Sequence, residues 1–341
     1  MNIRKILYAL PPRITARMIA FVTAFALTAA GVRVAYGFTE VKSGGKNDES
    51  ETESAVTDKE QEGDTDKSVC EAFQTEGAAS IGAVISAQNA LLCNLSEGKI
   101  TAEKNMQGVT EMLDISIFMT AIISSKAISD EKISTSDFAV CPASAAKKDG
   151  YGLSADVLPI GKRMKISELI RCMFYQRGSS YAYTLAVHIS GSEDAFVSEM
   201  NAEAARLGLK NTVFTSCTGS GGDGGKTTAY DTAVVLKELL GIPYLRDMFF
   251  SSERLEVTHS QAQSVKLVVA NDFFQSYCTE SQARLDGILG GKVSGEGSGA
   301  WSVVAFKNGN TEYLAIIIGS SSPFSDALML YSAYALCQSS Q

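Results

Sequence analysis

Histidine is almost missing from this chain, with two (His188 and His259) in 341 residues. No Cys-x-x-C pair accompanies them, so the usual zinc-site spacings are excluded. Two histidines this far apart also leave little material for a Ser-His-Asp triad. The chain holds one tryptophan and six prolines, and its formal charge of −8 comes with no basic stripe. A mildly acidic body of this kind argues against nucleic-acid binding. The seven cysteines, Cys70, Cys93, Cys141, Cys172, Cys217, Cys278 and Cys337, are scattered and odd in number. Read as small hydrophobes they are free and buried, whereas an oxidising compartment would allow one or two disulfides and leave at least one thiol over. No cofactor is expected.

Charge is unevenly distributed. Residues 1–38 carry Arg4, Lys5, Arg13, Arg17 and Arg33 with no acid, and they precede or flank an uncharged apolar run from Met18 to Val32. Fifteen residues suit the apolar part of an export signal better than a spanning helix of about 20 residues. Ala35-Tyr36-Gly37 offers a small-x-small cleavage site, and an uncleaved signal anchor is the alternative. Either reading places the body outside the cytoplasm, secreted or held on the outer face of the membrane through this segment. Residues 39–69 follow with ten acids against four lysines and almost no large apolar side chain. Such a stretch cannot bury enough surface to offset its ordering entropy, so a disordered acidic linker is expected there.

Residues 70–341 read as one α/β (α+β) domain. Ser80–Ser86 and Ala90–Cys93 are short apolar runs, and Gln88-Asn89 between them predicts a hairpin. Trp301–Phe306 and Tyr313–Ile318 flank Lys307-Asn308-Gly309-Asn310, a stronger hairpin signal because Asn and Gly tolerate positive φ. Apolar spacing near 3.6 predicts helices over Ile117–Ile128, Ile166–Tyr175, Ser180–Ile189 and Ala195–Leu207, with a closing helix over Ser325–Cys337. Ser192 is the expected N-cap of the fourth, and Gly208 ends it. Strands at both ends around a helical middle imply an antiparallel sheet built from both chain ends, flanked by helices, with a helical subdomain inserted.

Within 185–231 the run Leu185-Ala186-Val187-His188-Ile189-Ser190-Gly191-Ser192-Glu193 is followed by Met200-Asn201, Leu207-Gly208-Leu209, Asn211-Thr212 and Thr228-Ala229-Tyr230-Asp231. In order and spacing this block resembles the serine D-Ala-D-Ala carboxypeptidases, the low-molecular-mass penicillin-binding proteins with the β-lactamase-like fold. Asp286-Gly287-Ile288 and the final hairpin fit the same pattern, which spans roughly 78–339. The resemblance implies peptidoglycan as the setting and three motifs, S-x-x-K, S-x-N and K-T-G, meeting in one cleft. Registered on Phe118-Met119-Thr120-Ala121, the nucleophile position holds Asp114 and the lysine position Ile117. Registered on Leu185-Ala186, S-x-N has become Arg177-Gly178-Ser179. After Asp286-Gly287-Ile288, K-T-G has become Leu289-Gly290-Gly291.

A carboxylate at 114 with no amine at 117 cannot replace an activated serine. The expectation is therefore a catalytically inactive envelope protein that binds a peptidoglycan stem peptide or a protein partner. Arg177 and Ser179 are the candidate ligand-binding residues, and Asp114 with Arg177 is the expected ion pair across the old cleft. The alternative is an active carboxypeptidase with atypical motifs, using Ser144 or Ser116. Ser144 lies in Pro142-Ala143-Ser144-Ala145-Ala146-Lys147, whose letters fit S-x-x-K, but a loop signal at Lys148-Asp149-Gly150 follows where the helix must run. Ser220 to Thr227 is one residue short of a phosphate-binding loop and reads as a plain loop. His188 is expected in the core, His259 at the surface, and Asn201 and Asp231 as scaffold residues.

Overall fold

Strands buried on both faces need apolar residues at nearly every position, and Ala90-Leu91-Leu92-Cys93, Trp301–Phe306 and Tyr313–Ile318 supply them. In the computed structural model these runs form the middle of a six-stranded sheet. The structure describes residues 73–112, 115–147, 158–175, 179–219, 224–259, 265–269, 271–277, 287–294 and 299–336. The expected export segment and acidic linker, with Asp114 and Arg177, lie outside the described residues.

In chain order the elements begin with β1 (Ala79–Ser80), β2 (Asn89–Asn94), β3 (Lys99–Lys104) and β4 (Thr110–Glu111). Helix α1 (Ser116–Ser129), β5 (Phe138–Val140), β6 (Arg163–Lys165), α2 (Ile166–Tyr175), α3 (Ser179–Ser190) and α4 (Glu193–Arg206) follow. Next come β7 (Lys226–Thr227), α5 (Ala229–Gly241), α6 (Pro243–Phe250), β8 (Leu255–His259), β9 (Val265–Val269) and α7 (Asp272–Ser276). The described part closes with β10 (Ile288–Ser294), β11 (Trp301–Asn308), β12 (Thr311–Ile318) and α8 (Pro323–Tyr331).

Sheet order is β1-β3-β2-β12-β11-β10, so strands from the two chain ends meet where β2 pairs antiparallel with β12, Leu92 opposite Ala315. Alternation divides the apolar side chains, and an irregularity in the β2–β3 pairing at Leu92/Cys93 lets Ile100 and Ala102, two residues apart, face opposite sides. Leu91, Cys93, Ile100, Trp301, Val303, Leu314 and Ile316 face the helical middle, and Leu92, Ala102, Val304, Phe306, Ala315 and Ile317 face α8. The predicted β11–β12 hairpin is present, with Asn308 opposite Thr311 and Gly309 at φ +60°. The hairpin expected at Gln88-Asn89 is not. β1 pairs parallel with β3 instead, and β2 turns into β3 through 95–98, with Gly98 at φ +65°.

The helices fall where periodicity puts them. Ser192 caps α4 by accepting from the Ala195 amide, Thr228 caps α5 through Asp231 N, and Gly208 takes φ +70° after α4. Helix α1 is buried on most of its circumference, as a helix apolar all round must be. His188 departs from expectation: it lies at the exposed end of α3. The side-chain environment of His259 falls outside what the structure describes. The four described cysteines, Cys93, Cys141, Cys172 and Cys217, are free and buried, and burial pushes the Cys93 thiol up to about 12.

Two polar ties hold the layers in register. The buried Asp326 carboxylate accepts from Ser86 N (2.9 Å), Ser86 Oγ (2.9 Å), Ala87 N (3.0 Å) and Ser320 Oγ (2.7 Å), joining α8 to the loop before β2. On the other side Glu203 of α4 pairs with Lys126 of α1 and with Arg206 at 2.7 Å, and Arg206 reaches Glu238 of α5 at 2.7 Å. Burial alone would raise the Glu203 pKa, but hydrogen bonds from Arg206 and Lys126 outweigh it and hold the carboxyl below its usual range.

Hydrogen bonds to a buried carboxylate are the costly kind to lose, so Asp326→Ala is expected to destabilise the domain by about 3 kcal/mol in urea unfolding. A lowered folded-state pKa means that Glu203 stabilises above its unfolded pKa of about 4.3 and that this is lost as pH falls through the lower folded value. Stability measured from about pH 5 to about pH 3 should therefore fall more steeply in the wild type than in Glu203→Gln.

Candidate active-site cleft

Three segments carry the motif positions. Ile117 lies buried in the first turn of α1, Ser179 is the buried first residue of α3, and β10 holds Leu289, Gly290 and Gly291. Leu289 is half-buried against the helical-side core, and the two glycines are buried. The structure packs α1 against α3 and α6 against β10. Asp114 and Arg177 flank this arrangement in sequence but lie outside the described residues.

The two glycines are close-packed rather than open to a ligand. A Cβ at Gly290 would stand 2.9 Å from the Phe250 ring and 3.2 Å from Phe250 Cα; one at Gly291 would stand 2.5 Å from the Val303 carbonyl oxygen. Phe250 belongs to an edge-to-face aromatic group that fills the space between β10 and the helices. Phe249 lies 5.5 Å from Phe250, 6.2 Å from Phe174 and 5.9 Å from Phe118, and Phe118 lies 6.0 Å from Trp301. Burial also lifts the Tyr175 hydroxyl pKa at the end of α2, with Ser251 opposing it through a hydrogen bond.

One residue of the site escaped the sequence reading. Lys292 is 2% exposed, and its Nζ donates to the Phe174 carbonyl at 2.9 Å. Phe174 sits in the last turn of α2, three residues before Arg177, so the amine is delivered to the approach of the S-x-N position. An ammonium is rarely taken this far from water without a local role. Counted forward from Asp286-Gly287-Ile288, the third motif is Leu289-Gly290-Gly291. Counted from the lysine of the strand, it is Lys292-Val293-Ser294, which keeps the motif's cation and loses its threonine and glycine. The signal was present: Lys292 is the one lysine between Lys266 and Lys307.

The alternative nucleophiles fare poorly. Ser116 is fully buried, and its Oγ has no hydrogen-bond partner among the described residues. Ser144 is exposed on a 3-10 turn, Ala143–Lys147, and opens no α-helix. Asn201 and Asp231 are scaffold: Asn201 Nδ2 bonds the Phe214 carbonyl at 2.8 Å, and Asp231 Oδ2 accepts from Asn211 N at 2.9 Å and from Thr212 Oγ1 at 2.8 Å. Among the described residues no group of three or more His, Cys, Asp and Glu side chains could hold a metal ion.

The family pattern described as D-alanyl-D-alanine carboxypeptidase matches residues 74–292, ending on Lys292. The chain belongs to this family. Among its relatives is the D-alanyl-D-alanine carboxypeptidase DacF of Bacillus subtilis, 29% identical over 238 residues, covering 70% of this chain and 58% of the relative. DacA of Escherichia coli is 30% identical over 159 residues, 46% of this chain and 40% of that protein. This chain thus spans about half the length of the curated relatives it matches. The fold agrees with solved structures of the family. A D-alanyl-D-alanine carboxypeptidase from Mycobacterium tuberculosis superposes with TM-score 0.62 at 18% identity, over 78% of this chain and 96% of that one. Penicillin binding protein 6B of Escherichia coli gives 0.63 at 21% identity, over 76% and 80%.

Close packing at the two glycines has a measurable consequence. Gly291→Ala forces a methyl group onto the backbone of β11 and is expected to lower stability by about 3 kcal/mol, whereas Gly290→Ala, opposed first by the ring of Phe250, should cost about 1 kcal/mol. Chemical denaturation of the two variants checks the order.

Proposed function

We propose that this protein is a catalytically silent member of the family, which binds the carboxylate end of a peptidoglycan stem peptide outside the cytoplasm without cleaving it. Acyl transfer by this family's route needs a hydroxyl to attack the carbonyl and an amine to take its proton. Position 114 offers a carboxylate, which has no proton to give up and is a poor nucleophile toward an amide. Position 117 offers an isoleucine side chain, buried among apolar neighbours. Neither alternative serine suits the role, since Ser116 is buried and Ser144 lies on a short turn.

The single observation that carries the binding half of the reading is the buried amine of Lys292 beside the last turn of α2. We propose that Asp114 and Arg177 pair across the old cleft, and that the cationic groups gathered at this end of α2 receive a peptide carboxylate. A guanidinium grips such a group bidentately, and Ser179 can add a hydroxyl. Membership of a family named for peptidoglycan chemistry, with the export-type N-terminus, supports the extracytoplasmic location. No described helix is long and apolar enough to cross a membrane.

Calorimetric titration of the full chain with a stem peptide ending in D-Ala-D-Ala tests the reading. Saturable binding with no release of D-alanine is expected. Amidating the peptide terminus, or the Lys292→Met change, should weaken binding at least about tenfold, roughly 1.4 kcal/mol. Release of D-alanine, or equal affinity for the acid and the amide, would refute it.

A further inference from the structure

The β5–β6 ribbon presents an outward face of exposed apolar and basic side chains. Its inner residues, Ala139 and Met164, are fully buried in the helical-side core, and the strand pattern turns the alternate residues outward. Those outward residues are Phe138 opposite Lys165 and Val140 opposite Arg163. The ribbon extends through the Pro159–Lys162 turn, where Gly161 takes φ +76° and its amide bonds the Cys141 carbonyl, so that Ile160 lies in the turn next to the end of β5. Phe138, Val140 and Ile160 are 41%, 54% and 41% exposed, three of the seven exposed large hydrophobics among the described residues. The Arg163 guanidinium lies 4.9 Å above the Phe138 ring, so charge and apolar surface are delivered at one point. Lys162 stands at the turn. Among the described residues of the adjoining segments, Asp137 is held by the Ser134 amide at 2.7 Å and Glu168 is half-buried beside Lys165.

We propose that this face is a membrane-contact surface that inserts Phe138, Val140 and Ile160 among anionic phospholipid headgroups. The chemistry matches that boundary: short apolar side chains reach below the headgroups while Arg163, Lys165 and Lys162 meet the phosphates. The pairing of exposed apolar with basic side chains on one face is the complement of an anionic headgroup layer over acyl chains. The body of the domain carries net negative charge (−7 over residues 70–341). It is therefore repelled from an anionic bilayer except through a locally cationic face, and this orients the contact. Attraction of this kind is screened by salt, so the contact weakens as ionic strength rises.

Brominated lipid provides the test in the full chain, because it quenches only tryptophan that enters the bilayer. The native Trp301 is buried in the core at 1% exposure and reports nothing. In Phe138→Trp, vesicles of brominated phosphatidylglycerol should quench the introduced tryptophan several-fold more than vesicles of brominated phosphatidylcholine. Adding Arg163→Glu and Lys165→Glu should abolish the difference while leaving the thermal transition in place. Vesicle-bound chain with no quenching would overturn the proposal, since attachment would then run through another segment. A shift caused by polyglutamate but not by lipid would overturn it too, and would make the ribbon a protein-docking surface.

Discussion

Pairing of β2 with β12 is the constraint on which everything else in this domain depends. The strands come from opposite ends of the described chain, and bringing them together closes a loop that contains the whole helical middle. Closing so long a loop costs chain entropy before any contact offsets it. What offsets it is apolar burial on both faces of the same strands, Leu91 and Ile316 toward the helices, Leu92 and Ala315 toward α8. The Asp326 tie then fixes the terminal helix to the loop that leads into β2. The cleft lies where the inserted helices meet β10, the strand at the far edge of this sheet. Substitution at the cleft is therefore compatible with an intact fold, because the residues that close the sheet are not those of the cleft.

The proposed reading keeps charge at the site while giving up catalysis, and a cation buried there must stay hydrogen-bonded to be tolerated. Lys292 remains buried and bonded to the Phe174 carbonyl although Leu289, Gly290 and Gly291 supply nothing reactive. An arginine at 177 and an aspartate at 114 are substitutions that a charged cleft can absorb together and a neutral one could not. This is also the arrangement that a carboxylate ligand would find complementary. Around it the aromatic group of Phe118, Phe174, Phe249 and Phe250 packs against β10, with Phe250 close over Gly290, while the Val303 carbonyl and Phe273 crowd Gly291.

Much of the fold was legible in the sequence, and the exceptions have physical causes. Helices α1 to α4 could be placed from periodicity, since the 3.6-residue repeat survives wherever one face is buried. The β11–β12 hairpin was equally plain because Asn308 and Gly309 encode the turn locally. The false hairpin at Gln88-Asn89 arose because β1 finds its partner in β3, in parallel, and parallel pairing leaves no local signal. His188 was misplaced because α3 runs out of the core in its last turn, so periodicity alone assigned it a face that no longer exists there. At the site, counting from Phe118-Met119-Thr120-Ala121 and from Asp286-Gly287-Ile288 assigned residues to motif positions but did not single out Lys292. Its burial and its bond to the Phe174 carbonyl are tertiary features that no local count carries. The exposed face of β5–β6 was invisible for a different reason: three-residue strands carry too few positions for a period to show.

The central claim is that the family's acyl-enzyme chemistry is absent from a folded domain. Incubating the purified protein with a fluorescent penicillin and measuring its intact mass addresses this most directly, because β-lactams trap the serine that attacks them. The account predicts an unmodified mass for a protein whose thermal transition shows it to be folded. A stoichiometric adduct would contradict it, and the serine that carries the adduct would identify the nucleophile.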